Sequence, residues 1–345
     1  TFSTNRLENC ELEDFIIKAI EMVRMLGEDR CRMLPDPERT AKDAKTGREL
    51  GLYDAGYETS DSDTRLARAM DMAMYPGVPA EGYSLISEEC EYSESCEDNF
   101  VADSQGFEGR HTETCFSVFS EVTVEDHEGG KFSGFWWESS FCKDGIDIKG
   151  CSAKALDRAV GQIGPQKHPG GKYRMVVDTN VATRLVSPLL TALNASSIQQ
   201  KMSFLEDSLG EQVFPAGMTL MDLARTPKKN GSRLFDTEGT ATTDAPIIED
   251  GVVKQYFVNT YMAAKTGLAP TIEDISRPCL MPFVKDKTLS YKEKELSLKD
   301  LLKMNGSGIL VTGFNGGNCN PVTGDFSFGI EGFAFKDGKV THPVR

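Results

Sequence analysis

At 345 residues with a formal net charge of −15, the chain is too long for one ordinary domain and too acidic to favour phosphate backbones. Its 39% apolar and 26% charged residues match a globular composition, and no basic stripe invites nucleic acid. No apolar run approaches the roughly 18 residues of a membrane span, and no basic-then-apolar leader is read at the start, so a cytoplasmic protein is expected.

In chain order, the first predicted element is an amphipathic helix over 12–26. Leu12, Phe15, Ile16, Ala19, Ile20, Val23 and Leu26 share one face. A polar connection rich in Pro, Gly and Asp fills 34–60. A second helix over 61–75 has Asp61, Ser62 or Asp63 as cap and Leu66, Ala69, Met70 and Ala73 inward. From 83 to 142 the pattern changes to short strands. Thr112–Val124 is dense in Phe, Val and Thr, and Glu128-Gly129-Gly130 turns the chain into Lys131–Trp137. A helix over 152–163 turns Ala155, Leu156, Ala159 and Val160 inward.

Pro165–Gly171 holds two Pro and two Gly, and is read as the domain boundary. Residues 1–168 form a partial mixed α/β N-terminal and middle region, and 172–345 a β-rich C-terminal domain. That domain opens with a buried strand at 173–177 and a helix capped by Asp178 or Thr179 that runs to about Asn194. Hairpins follow at 247–257 and 333–340, marked by Asp250-Gly251 and Asp337-Gly338, with a short helix at 297–304 between them. The fold class is α+β, with an antiparallel sandwich or barrel-like second domain.

The chemistry-bearing residues are sparse. Nine cysteines, odd in number and without a C-x-x-C pair, argue against a disulfide framework or a zinc knuckle and read as free buried thiols; Cys90 and Cys96 are a pair only for an oxidising setting. His111, His127, His168 and His342 lie too far apart in sequence for two to share a helix face, so no zincin-type pair exists. No G-x-S-x-G elbow is present. Gly313-Phe314-Asn315-Gly316-Gly317 lacks the Lys-Ser/Thr of a phosphate loop and reads as a turn cluster, as does Asn320–Asp325.

A family resemblance goes further. Phe235-Asp236-Thr237-Glu238-Gly239-Thr240, then Ile247–Val252 and Tyr261–Gly267, resemble consecutive blocks of the PmbA/TldD family. Val322-Thr323-Gly324-Asp325-Phe326-Ser327 and Ser203–Gly210 resemble its PmbA (TldE) branch. These blocks run in family order from about 173 to 344. The family pairs a TldD-type zinc peptidase, with an H-E-x-x-x-H helix and a later cysteine ligand, with a TldE-type chain lacking those ligands. The resemblance thus implies a TldE-like component of a zinc metallopeptidase complex that acts on peptides or unfolded proteins. The name of the family also connects it with modulation of DNA gyrase.

At the matching helix this sequence has Ser187, Pro188, Thr191 and Ala192, none a strong zinc ligand, and Pro188 stands where the general-base Glu would be. The expectation is therefore no catalytic residue and no metal in this chain, with zinc in the implied partner. Cys319 precedes the region of the cysteine ligand. Phe235, Asp236, Glu238, Gly239, Thr323, Gly324, Asp325 and Phe326 are the candidates for shaping a peptide cleft. The partner is a TldD-type subunit or a second copy; a non-enzymatic homodimer that binds peptides or proteins is the alternative, and an independent non-metal hydrolase a third reading. Residues 268–296 fit the family poorly, and the leading α/β unit and last strands are shorter than the family implies.

Overall fold

The computed structural model describes residues 2–6, 8–73, 79–80, 82–282 and 296–344. Helix α1 spans Asn9–Arg24, and its apolar stripe stays largely open: Ile16, Ile20 and Val23 are about half exposed. Helix α2 spans Ser62–Met72, capped by the Asp61 carboxylate accepting from the Thr64 N–H. The inward face predicted for α2 is corrected. Leu66 and Met70 are exposed, and Met72 is buried. The stripe that meets the sheet carries Arg65, bonded to Glu94, and Arg68, over the Tyr92 ring. These polar and cation–π contacts, with Met72 packed against Val118 and Cys151, dock this helix.

The first sheet has the order β1-β2-β3-β4, antiparallel throughout: Pro79–Ala80, Tyr83–Ala102, Glu108–Asp126 and Lys131–Ser140. The expectation of short strands here is corrected, because β2 and β3 are 20 and 19 residues long. In β2 the period-two alternation is Glu and Ser outward against Glu88, Cys90, Tyr92, Glu94 and Cys96 inward, so it lacks the Val/Ile signature by which strands are usually read. Helix α3, Ile148–Gly161, covers the inner face. There Val122, Val124 and Phe132 pack against Ala155 and Ala159, each side chain buried. Burying a Val or Phe fully contributes about 1.5–3 kcal/mol.

Strand β5, Met175–Val177, precedes α4, Thr179–Ala192, and α5, Ala195–Gln199. A sheet of order β8-β7-β6-β9 then forms from β6 Thr219–Asp222, β7 Ala245–Glu249, β8 Val252–Val253 and β9 Pro278–Met281. Helix α6, Thr260–Thr266, joins α4 and α5 around its core of Leu193, Leu205, Ile247, Ile248 and Phe257. Helix α7, Leu298–Asn305, leads into β10 Gly308–Cys319, β11 Phe326–Lys336 and β12 Lys339–Val344. These form a sheet of order β12-β11-β10-β5, in which β5 runs parallel to β10.

The fold is α+β, with mainly antiparallel sheets and no closed barrel among the described residues. Both Asp-Gly turns take left-handed backbone, with Asp250 and Gly251 at φ of 52° and 85° and Asp337 and Gly338 at 51° and 72°. Gly313–Gly317, expected as a turn cluster, belongs to β10, where two register shifts against β11 absorb its glycines. Of the poorly fitting stretch 268–296, residues 283–295 lie outside the described residues, and Pro278–Met281 forms a strand.

Candidate functional site

A cleft of about 780 Å³ opens between α4, the outer half of β10 and β11, with Phe135 of β4 at one wall. Helix α4 is set there by the residue that caps it. The Asp178 carboxylate accepts from the Asn180 N–H as N-cap and holds the Arg158 guanidinium of α3 at 2.6 Å. The Asp178 N–H donates to the Val311 carbonyl at 2.9 Å, where β5 ends. Beyond that point β10 pairs with β11 on one side, and its other edge faces the cleft without a strand among the described residues.

Ser187, Pro188, Thr191 and Ala192 all line this cleft, so the helix segment singled out by the family motif is its wall. The Thr191 hydroxyl donates to the Ser187 carbonyl at 3.0 Å. Pro188 has no N–H to give the carbonyl of Arg184, so the helical ladder is interrupted there. The Arg184 guanidinium sits 5.2 Å over the Phe328 ring and donates to the Gly316 carbonyl at 3.3 Å. Phe328 meets Phe314 edge-on at 5.6 Å and stacks on Phe326 at 5.7 Å. Glu331 accepts from the Asn315 amide at 2.7 Å. Gly317 is required, since a Cβ there would lie 2.0 Å from the Ser327 carbonyl oxygen.

The donors lining the cleft are the hydroxyls of Thr183, Ser187 and Thr191 on α4, the amides of Asn315 and Asn318, the Cys319 thiol and the Glu331 carboxylate, with no imidazole. Among the described residues no cluster of three or more His, Cys, Asp or Glu is placed to hold a metal ion. Such a donor set does not fit the zinc that the family motif requires. What the cleft can do is hold a chain. It has apolar walls, an unpaired strand edge, one cation and one carboxylate.

The other sequence candidates separate into two groups. Thr323, Gly324, Asp325 and Phe326 form the β10–β11 turn beside the cleft. The Thr323 hydroxyl donates to Asp325 at 2.8 Å, Gly324 has a φ of 76° over the Phe204 ring, and Phe326 is 58% exposed. Phe235, Asp236, Glu238 and Gly239 do not line the cleft. They form a buried turn, in which Phe235 meets Phe107 edge-on at 5.7 Å. The Asp236 carboxylate accepts from the N–H groups of Glu238, Thr240 and Glu273. Burial pushes the Asp236 carboxyl above its ordinary value against the pull of those bonds. Glu238 accepts from the Thr260 N–H at 2.9 Å and its hydroxyl at 2.7 Å, and a Cβ on Gly239 would lie 2.4 Å from the Phe107 ring.

Sequence reasoning missed Arg184, Phe328 and Glu331. Their only signal was the alternation of aromatics in Phe326-Ser327-Phe328 against Phe314. The histidines are partly brought together, since His168 and His342 lie 5.9 Å apart with Tyr173 against His168. His111 is on β3. The thiols are more open than expected, with Cys151 buried and seven others half-buried, all unpaired. Cys90 and Cys96 are six positions apart on one strand, roughly 20 Å, too far to bridge.

A model described as the PmbA/TldA metallopeptidase C-terminal domain matches residues 170–345, and one for the central domain of the same metallopeptidases matches 55–163. The chain is 27% identical to a protein named Metalloprotease PmbA homolog from Haemophilus influenzae, covering 99% of this chain and 73% of that one. It is 26% identical to Metalloprotease PmbA from Escherichia coli O157:H7, covering 94% and 69%. A crystal structure from Bacteroides thetaiotaomicron, described as a candidate modulator of DNA gyrase, superposes with a TM-score of 0.90 at 38% identity, over 99% of this chain and 75% of that one. TldE from Thermococcus kodakarensis shares the fold, with a TM-score of 0.73 at 19% identity over 99% and 76%.

Proposed function

The chain belongs to the PmbA/TldD metallopeptidase family, and on that premise we propose that it is the TldE-like, non-catalytic component of a zinc metallopeptidase complex acting on peptides or unfolded proteins. One observation carries the reading. The helix where the family's zinc motif would lie is the wall of the 780 Å³ cleft, and there it offers Ser187, Pro188, Thr191 and Ala192 instead of imidazoles and a carboxylate base. The same cleft keeps what a peptide site needs. An extended chain can add along the open edge of β10 through main-chain hydrogen bonds, while Phe314, Phe328 and Val181 take its apolar side chains. The Thr323–Phe326 turn forms the rim. Zinc belongs to a TldD-type partner in this reading, and the free thiols suit a cytoplasmic setting.

The test is hydrolysis of casein by this chain alone and mixed with a TldD-type chain, with and without a chelator. Activity in the mixture alone, lost on chelation and reduced when Ser187→Trp fills the cleft, is the expected result. Chelator-sensitive activity of the isolated chain would overturn the non-catalytic reading. Unchanged activity of the Ser187→Trp mixture would remove the cleft from the function. Peptide binding by a stable homodimer, with no gain from the TldD-type chain, would favour the non-enzymatic alternative.

A further inference from the structure

Among the described residues, no helix lies over the outer face of the β1–β4 sheet, opposite α3. Pairing fixes its rows. Glu89 lies opposite Glu121, which lies opposite Phe135; Glu91 opposite Phe119, then Trp137; Ser93 opposite Ser117, then Ser139; Glu97 opposite Glu113. Phe135 and Trp137 are 39% and 47% exposed, and Phe119 stacks on Phe135 at 6.4 Å. Two pairs of glutamates thus stand directly across from each other, an arrangement that costs stability in a sheet unless something positive lies over it. Along these rows the face supplies His111, 3.5 Å from Glu113, and at the hairpin end Lys131, opposite Glu125. Neither lies on the Glu89–Glu121 row.

We propose that this face is a docking surface for a basic, aromatic-containing segment of the substrate polypeptide, which continues from it into the cleft. Two observations select that occupant. The glutamate pairs are complementary to lysine or arginine, while the aromatic row between them takes an apolar side chain. Phe135 belongs to both surfaces, being on the outer face and in the wall of the cleft, so a single extended chain can touch both. From Glu89 to Glu97 is eight positions along β2, roughly 27 Å, the reach of about nine extended residues. The inference rests on the peptide-binding reading and adds the charge of the substrate to it.

The chain has two tryptophans, which supply a local probe. Trp136 is on the inner face under Lys154 and Arg158, and Trp137 is on the outer face. Fluorescein-labelled peptides of about twelve residues, with lysines at both ends and phenylalanine and serine between, would be compared with the same peptides carrying glutamate for lysine. At low salt, about 50 mM, the lysine peptide is expected to bind about tenfold more tightly, with the preference shrinking as salt rises. Binding should shift tryptophan emission, and Trp137→Phe should abolish the shift. Glu89→Gln/Glu121→Gln should weaken the lysine peptide about three- to tenfold. That variant should melt no lower than the parent, because a like-charge pair is relieved.

Equal binding of the two peptides, or a Trp137 signal that does not respond, would overturn the proposal. So would a chain that self-associates through this face and excludes the peptide. The cleft reading fails separately. Loss of binding in Ser187→Trp with full binding in the glutamine variant would keep the cleft and sink the face. The reverse pattern would keep the face and sink the cleft.

Discussion

Gly134 in β4 is where the two structural halves of the cleft can be disturbed with one methyl group. A Cβ placed on it would lie 2.4 Å from the Ala159 nitrogen, 2.6 Å from the Ala155 oxygen and 2.8 Å from the Arg158 carbonyl carbon. Heavy atoms in good contact sit about 3.5–4.0 Å apart, so α3 must retreat by roughly 1 Å. All three obstacles are backbone, and no rotamer change can relieve them. Overpacking costs about 1–3 kcal/mol, and Gly134→Ala belongs at the upper end. A loss of about 2–3 kcal/mol lowers the melting temperature by about 5–10 °C. The displacement also pulls the Arg158 guanidinium from Asp178, 2.6 Å away at the head of α4, so peptide affinity in the cleft should fall with stability. Gly170→Ala is the control, because nothing lies within 4 Å of its Cβ, and it should stay within about 0.5 kcal/mol of the parent. Differential scanning fluorimetry and peptide anisotropy on both variants decide the matter. If Gly134→Ala melts with Gly170→Ala, the close approach of α3 to β4 is wrong.

Three further outcomes follow from the same contacts. The Arg110 guanidinium, with the Thr112 hydroxyl, holds the Asp98 carboxyl down to about 2, below its ordinary 3.8. Its stabilising contribution is therefore present above pH 4 and lost as pH falls toward 2, so Asp98→Asn should lower the urea midpoint at pH 7 and match the parent near pH 2; a constant difference across that window refutes the pairing. Burial pushes the Cys151 thiol up to about 11, whereas Cys319 lines the cleft. Iodoacetamide should label Cys319 at least about tenfold faster than Cys151 by peptide mass mapping, and equal rates would contradict the placement. Asp178→Ala removes the cap of α4 and the partner of Arg158 together, and should cost about 2 kcal/mol in urea unfolding; a change below 0.5 kcal/mol would show that neither contact holds the helix.

Much of the framework was legible because local chemistry and tertiary structure agree. Asp178 caps α4, the Asp-Gly pairs turn both hairpins, and Ala155 and Ala159 lie where the helical period puts them. What escaped the sequence depends on contacts between distant segments. The stripe of α2 is chosen by Tyr92 and Glu94 of β2, about 25–30 positions away, so counting apolar residues selects Leu66 and Met70 wrongly. The length of β2 is hidden because its outward positions are glutamate and serine, residues that usually signal a loop. The candidate site divides along the same line. Ser187–Ala192 could be placed from the family motif, but that Phe328, Glu331 and Phe135 stand across from it is decided by strand pairing alone.

That pairing also explains why a helix with Pro188 at its middle is tolerated. A proline inside a packed helix removes a hydrogen bond and costs about 3 kcal/mol where the helix must be continuous. Here the interrupted turn faces a cleft and not a core, and the Thr191 hydroxyl bonds to the carbonyl of Ser187 beside it. On the opposite side β10 is interrupted too, by the register shifts around Gly313 and between Asn315 and Asn318. Two broken ladders therefore look at each other across the same 780 Å³ space, each with backbone polar groups not committed to its own element. An extended peptide brings the N–H and C=O groups that such edges lack. The register shifts of β10 owe nothing to position 188, so the strand-edge half of this arrangement, on which the proposed peptide-holding role rests, is separable from the residues of the metal motif on one scaffold.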